Sequence, residues 1–177
     1  MAARENYHIN FSSLKNGTHR FDYLIEHPFF AKFEYSPVKE GRVWVNISLS
    51  KHETMMVLDF SIKGTVNVPC DRCLEYFDLP IEGNQKLVVK FGETTEEQTD
   101  EILILSHAEY ELDVSQYIYE FILLNVPIRM EHPEDTKGNS TCNPNAMDLL
   151  EKMSRKQESQ EADPRWDVLK KLKGKVR

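Results

Sequence analysis

From Met56 to Cys70 almost every even position is apolar. Met56, Leu58, Phe60, Ile62, Val66, Val68 and Cys70 fall on one parity, with Gly64 among them. A period of two marks a strand with one buried face. The run predicts one long strand, or two collinear pieces joined by a bulge or bend near Gly64. Before it, Val43, Val45, Ile47 and Leu49 alternate with Trp44, Asn46 and Ser48, and polar Lys51-His52-Glu53 offers a turn. After it, Leu79-Pro80-Ile81 and the run 87–91 predict two further strands with a break at Gly83-Asn84. Ile102-Leu103-Ile104-Leu105 predicts another. Near the start, Tyr7 to Phe11 and Phe21 to Ile25 read as strands around a turn at Asn16-Gly17, whereas Phe29, Phe30, Phe33 and Tyr35 form an aromatic stretch with no clear period.

One segment changes to the helical period. Val114, Tyr117, Ile118, Phe121 and Ile122 form an apolar stripe, widened by Leu123 and Leu124. Asp113 is placed to cap it, Gln116 follows as in a capping box, and Val126-Pro127 stops it. The expected fold is α+β: a mainly antiparallel sheet, able to curl toward a barrel, packed by this one main helix over about 113–126. The residues from Gly92 to Glu101, with Glu93, Glu96, Glu97, Asp100 and Glu101, read as a solvated loop. Beyond His132 the sequence turns polar. The expected organisation is therefore a β-rich domain over 1–132, a flexible linker over 133–163 containing a short helix at about 148–155, and a basic helix or tail over 164–177.

Composition sharpens this picture. Apolar residues at 40% permit a core, while 29% charged residues leave part of the chain solvated. The first residues show no apolar h-region and no run approaches a membrane span, so the expectation is a cytoplasmic protein with no membrane partner. A net charge of −7 disfavours a general nucleic-acid binder. That average conceals an asymmetry. Residues 165–177 carry six basic groups and one acid, and the rest of the chain carries 16 basic and 28 acidic groups. An acidic body with a basic end suits a mixed partner such as a ribonucleoprotein, or is only a solubilising end.

The sequence offers no catalytic constellation. Its seven glycines are too dispersed for a dinucleotide fingerprint or a P-loop, and it lacks both His-Glu-x-x-His and Gly-x-Ser-x-Gly. No small-molecule substrate is expected. The remaining chemistry is Cys70-Asp71-Arg72-Cys73. Two thiols at this spacing supply half of a tetrahedral zinc site, and His132 with Cys142 can supply the other half. The same pair also reads as a redox couple or as packing cysteines. A redox couple fits less well, since it follows a strand and lacks the helix amino end that lowers a thiol pKa.

The order of these features resembles the YceD family, the large ribosomal RNA subunit accumulation proteins. The resemblance rests on Leu14-Lys15-Asn16-Gly17, on Val68-Pro69-Cys70-Asp71-Arg72-Cys73-Leu74, on Leu124-Asn125-Val126-Pro127-Ile128 leading to His132 and Cys142, and on Asp163-Pro164-Arg165-Trp166 running to Leu172. It implies a non-enzymatic factor in large-subunit biogenesis that supports 23S rRNA accumulation. Many relatives carry a longer cysteine-rich segment after the helix, where this chain keeps only Cys142. The expected partner is a ribosomal protein or a pre-50S particle, with rRNA contact through the basic tail. Arg72, Arg165, Trp166, Lys170, Lys171, Lys173, Lys175 and Arg177 are the candidate contact residues. The competing expectation is a small thiol-redox or zinc-handling protein centred on Cys70 and Cys73.

Overall fold

The computed structural model describes residues 7–99 and 101–157. Within them the chain forms two compact units, one of residues 7–71 and 76–130 and a small one of residues 72–75 and 131–157. The first unit is built on a six-stranded sheet. Its strands are β2 (Gly17–Ile25), β3 (Glu40–Lys51), β4 (Met55–Pro69), β5 (Tyr76–Gly92), β6 (Glu96–Thr99) and β7 (Ile102–Ser106). Their order is β2-β3-β4-β5-β7-β6, antiparallel except for the parallel β5–β7 pair. The sheet stays open, with β2 and β6 at its edges. A separate two-stranded pair joins β1 (His8–Ile9) to β8 (Leu112–Asp113).

The alternation on β4 places Met56, Leu58, Phe60, Ile62, Val66 and Val68 in the core, and Cys70 continues the series fully buried. Val43, Val45, Ile47 and Leu49 of β3 join them. Against this face pack the short α1 (His27–Phe30), through Phe29 and Phe30, and α2 (Ser115–Leu124), through Tyr117, Ile118, Phe121 and Ile122. Phe121 meets Phe60 edge-on, with ring centroids 4.9 Å apart. The Tyr117 hydroxyl donates to Glu97 of β6 at 3.2 Å.

β4 is the single long strand that the alternation offered, without a bulge or bend, whereas other elements differ from expectation for physical reasons. Gly64 sits in an unbroken register, opposite Val43 on β3 and Ile81 on β5. Its role is closeness: a Cβ there would overlap the Arg42 carbonyl. The break expected at Gly83-Asn84 is absent, because β5 continues through it as one 17-residue strand. Gly83 makes room for the Asn125 side chain, which would collide with a Cβ. The acidic stretch expected as a loop contains β6, whose four residues are all exposed and form a strand by pairing with β7. Finally, α2 begins at Ser115, whose amide is accepted by Asp113 at 2.8 Å. Gln116 donates forward to Glu120 rather than back into a capping box.

Candidate metal centre

The end of β4 delivers the first thiol. Cys70 keeps the inward parity of Val66 and Val68, after which residues 71–73 form a turn. Leu74, directly after Cys73, adopts φ +61°, a left-handed conformation that costs a branched residue about 1–2 kcal/mol. Such backbone strain persists only where the surroundings enforce it. Asp71 fixes the turn at its other side. Its N–H donates to the Met130 carbonyl at 2.7 Å, and its carboxylate accepts the Met130 N–H at 2.6 Å. Met130 precedes His132 by two residues, so the residue between the cysteines anchors the chain just before the imidazole.

The small unit brings the remaining donors together. His132 and Cys142 are separated by nine residues, wider than usual metal-ligand spacing, but the intervening chain doubles back on itself. Glu134 pairs with Ser140, Asp135 N–H donates to Asn139 O at 2.8 Å, and Thr141 donates to Pro133 O at 2.6 Å. Gly138 takes the left-handed conformation at the tip, φ +79°. The Asp135 carboxylate accepts from the Lys137 and Asn139 amides, and the Asn139 bonds hold its pKa below the ordinary aspartate value. This turn returns Cys142 to the side of His132. Next, Asn143 caps α3 (Pro144–Gln157): its carboxamide oxygen accepts the Asn145 amide at 2.9 Å, and its Nδ2 donates to Glu75 at 2.6 Å. The helix starts earlier than the sequence reading of 148–155, at Pro144 in the first helical position.

The His132 Nδ1 lies 3.5 Å from Cys73 Sγ and 3.8 Å from Cys142 Sγ. With Cys70 placed by the continuous turn, the ligand atoms of Cys70, Cys73, His132 and Cys142 all lie within 4.8 Å of one another. Zn–S bonds of about 2.3 Å and Zn–N bonds of about 2.0 Å at tetrahedral angles require S···N separations of about 3.5 Å. Three sulfurs and one imidazole nitrogen at these distances fit a four-coordinate zinc. Such a set leaves no open position for a substrate or a water nucleophile.

Burial gives a second reason to expect an ion. In the small unit, the buried apolar side chains among the described residues are Cys73 and Cys142. Leu149, Leu150 and Met153 of α3 are exposed. The described part of this unit buries too little apolar surface to hold itself together without a staple.

The structure thus brings together the four candidate ligands from 70, 73, 132 and 142. Arg72 lies in the turn between the two cysteines and is half-buried. Arg165, Trp166, Lys170, Lys171, Lys173, Lys175 and Arg177, with the helix or tail expected at 164–177, lie outside the described residues. Sequence reasoning missed Asp71 and Asn143, which position the ligands. Asn143-Pro144-Asn145 carried a legible signal, an N-cap followed by proline; the Asp71 clamp had none.

The chain is an α+β protein, an open and mostly antiparallel sheet with packing helices, that carries a candidate Cys3His ligand set. The family model for the large ribosomal RNA subunit accumulation protein YceD matches residues 58–173, and the chain belongs to that family. No curated protein and no solved structure matches it. The family's name places the chain in accumulation of large-subunit ribosomal RNA, a role as an accumulation factor rather than a known catalyst. Among the described residues, no helix is long and apolar enough to cross a membrane.

Proposed function

We propose that the chain is a non-enzymatic factor of large-subunit biogenesis that supports 23S rRNA accumulation by binding a ribosomal protein or a pre-50S particle. The family match over residues 58–173 carries this reading. In it, Cys70, Cys73, His132 and Cys142 hold a structural zinc, a cross-link that the apolar content of the small unit's described residues does not provide. The acidic body engages a basic ribosomal component, while Arg72 and the tail residues Arg165, Trp166, Lys170, Lys171, Lys173, Lys175 and Arg177 contact rRNA or the particle surface. The protein works in the cytoplasm, where its thiols remain available to the metal.

Sedimentation of cell extracts through a gradient tests this. The full chain is expected to travel with pre-50S particles, and loss of the protein is expected to lower 23S rRNA. Deleting residues 163–177 should shift much of the chain to the free fractions, more so at high salt. Unchanged association of the truncated chain would refute the tail's role. Absence of the full chain from every ribosomal fraction would refute the reading itself.

A further inference from the structure

The two edges of the main sheet are built differently. β6 has four residues, all exposed, two of them glutamates, and its register slips between Glu97 and Thr99. Short, charged and irregular edges resist the addition of another strand. β2 carries one charge of each sign, Arg20 and Asp22, but is neither short nor irregular. It runs nine residues without proline or register shift, and among the described residues it pairs only with β3.

The phase of its free edge follows from the neighbouring hairpin. His52 N–H donates to Met55 O at 2.9 Å, so even residues of β3 bond β4 and odd residues bond β2. On β2 the odd residues His19, Phe21 and Tyr23 therefore bond β3. The backbone groups of Thr18, Arg20, Asp22 and Leu24 face away from the sheet. Among the described residues no hydrogen bond reaches them.

We propose that this edge docks a second copy of the chain, β2 against β2, antiparallel about a two-fold axis at Phe21. Only even residues can exchange ladder bonds across the new junction, which limits the register. Centring on Phe21 sets Arg20 opposite Asp22 of the second copy and Asp22 opposite its Arg20, with Thr18 opposite Leu24. The two adjacent registers set Arg20 against Arg20 or Asp22 against Asp22, and like charges directly opposite are unfavourable. Arg20 is exposed and has no ion pair among the described residues, and Asp22 accepts a hydrogen bond from Asn46. On the core-side face, half-buried Phe21 meets its own copy and His19 meets Tyr23. The strand's single Arg and single Asp balance, so β2 complements itself better than it selects a basic peptide.

Sedimentation velocity of the full chain at micromolar concentration tests this directly. The wild type is expected to dimerise. Arg20→Asp and Asp22→Arg should each raise the dimer dissociation constant about tenfold or more. Mixing these two variants should restore a dimer, because each Asp then meets an Arg, and the double variant should also dimerise. Thr18→Pro, which removes an outward N–H that an edge strand can spare, should dissociate the dimer while melting near the wild type. A monomeric wild type, a dimer indifferent to the single replacements, or a monomer that takes up an added basic peptide along β2 would each overturn the proposal.

Discussion

Gly83 illustrates what a single residue decides in this protein. In sequence, Gly83-Asn84 reads as a break between two strands, because conformational freedom is the commonest reason for a glycine. In the structure it lies within β5, and what matters is the missing Cβ, whose space the Asn125 carboxamide occupies just after α2. Asn125 Nδ2 donates to the Phe121 carbonyl at 2.7 Å, closing the last turn of the helix. Gly83→Ala should push that side chain out, with loss of the bond and local overpacking costing about 1–3 kcal/mol. Thermal melting checks this. Adding Asn125→Ala to the variant should cost much less than Asn125→Ala alone, since the two changes remove the same contact. No pattern in the sequence announces which distant residue fills a glycine's space, so this contact was not legible. The parity that placed Cys70 inward was legible, because burial of alternate residues is a local property of the strand.

Among the elements, those with a strong period were read correctly and those that exist through pairing were not. β4 and α2 carry their own periodicity. β6 does not: its exposed Glu96–Thr99 becomes a strand through β7 alone. That pairing has a consequence at high pH. Tyr117 projects from α2 toward Glu97, and burial, followed by the Glu97 charge, raises its pKa well above the ordinary tyrosine value of 10.0. A folded-state pKa above the unfolded one means the native protein holds its proton longer. The stabilisation is therefore complete below about pH 10 and is lost as pH rises beyond it. Chemical denaturation at a series of alkaline pH values should show wild-type stability falling more steeply than that of Tyr117→Phe, and parallel curves would contradict the assignment. The turn from His132 to Cys142 lies between these cases. Gly138 and Pro133 marked a break in the sequence, but the return of one ligand to the other depended on Asp135 gathering two amides, which spacing alone does not convey.

At the scale of the whole molecule, the chain divides its labour. The sheet unit has an extensive apolar core, whereas the described part of the small unit buries two cysteines and little else. Those thiols, with Cys70 and His132, are the groups there that could hold a metal ion. The family is named for accumulation of large-subunit ribosomal RNA, and a closed Cys3His set around a metal would leave no open coordination position. The measurement that tests this most directly is the metal content of the purified, tag-free full chain by elemental analysis, beside Cys70→Ser and Cys142→Ser. One zinc per chain is predicted, lost in both variants, with the wild type losing order in residues 131–157 when a chelator removes the ion. A wild type without metal, or zinc retained by both variants, would contradict the account.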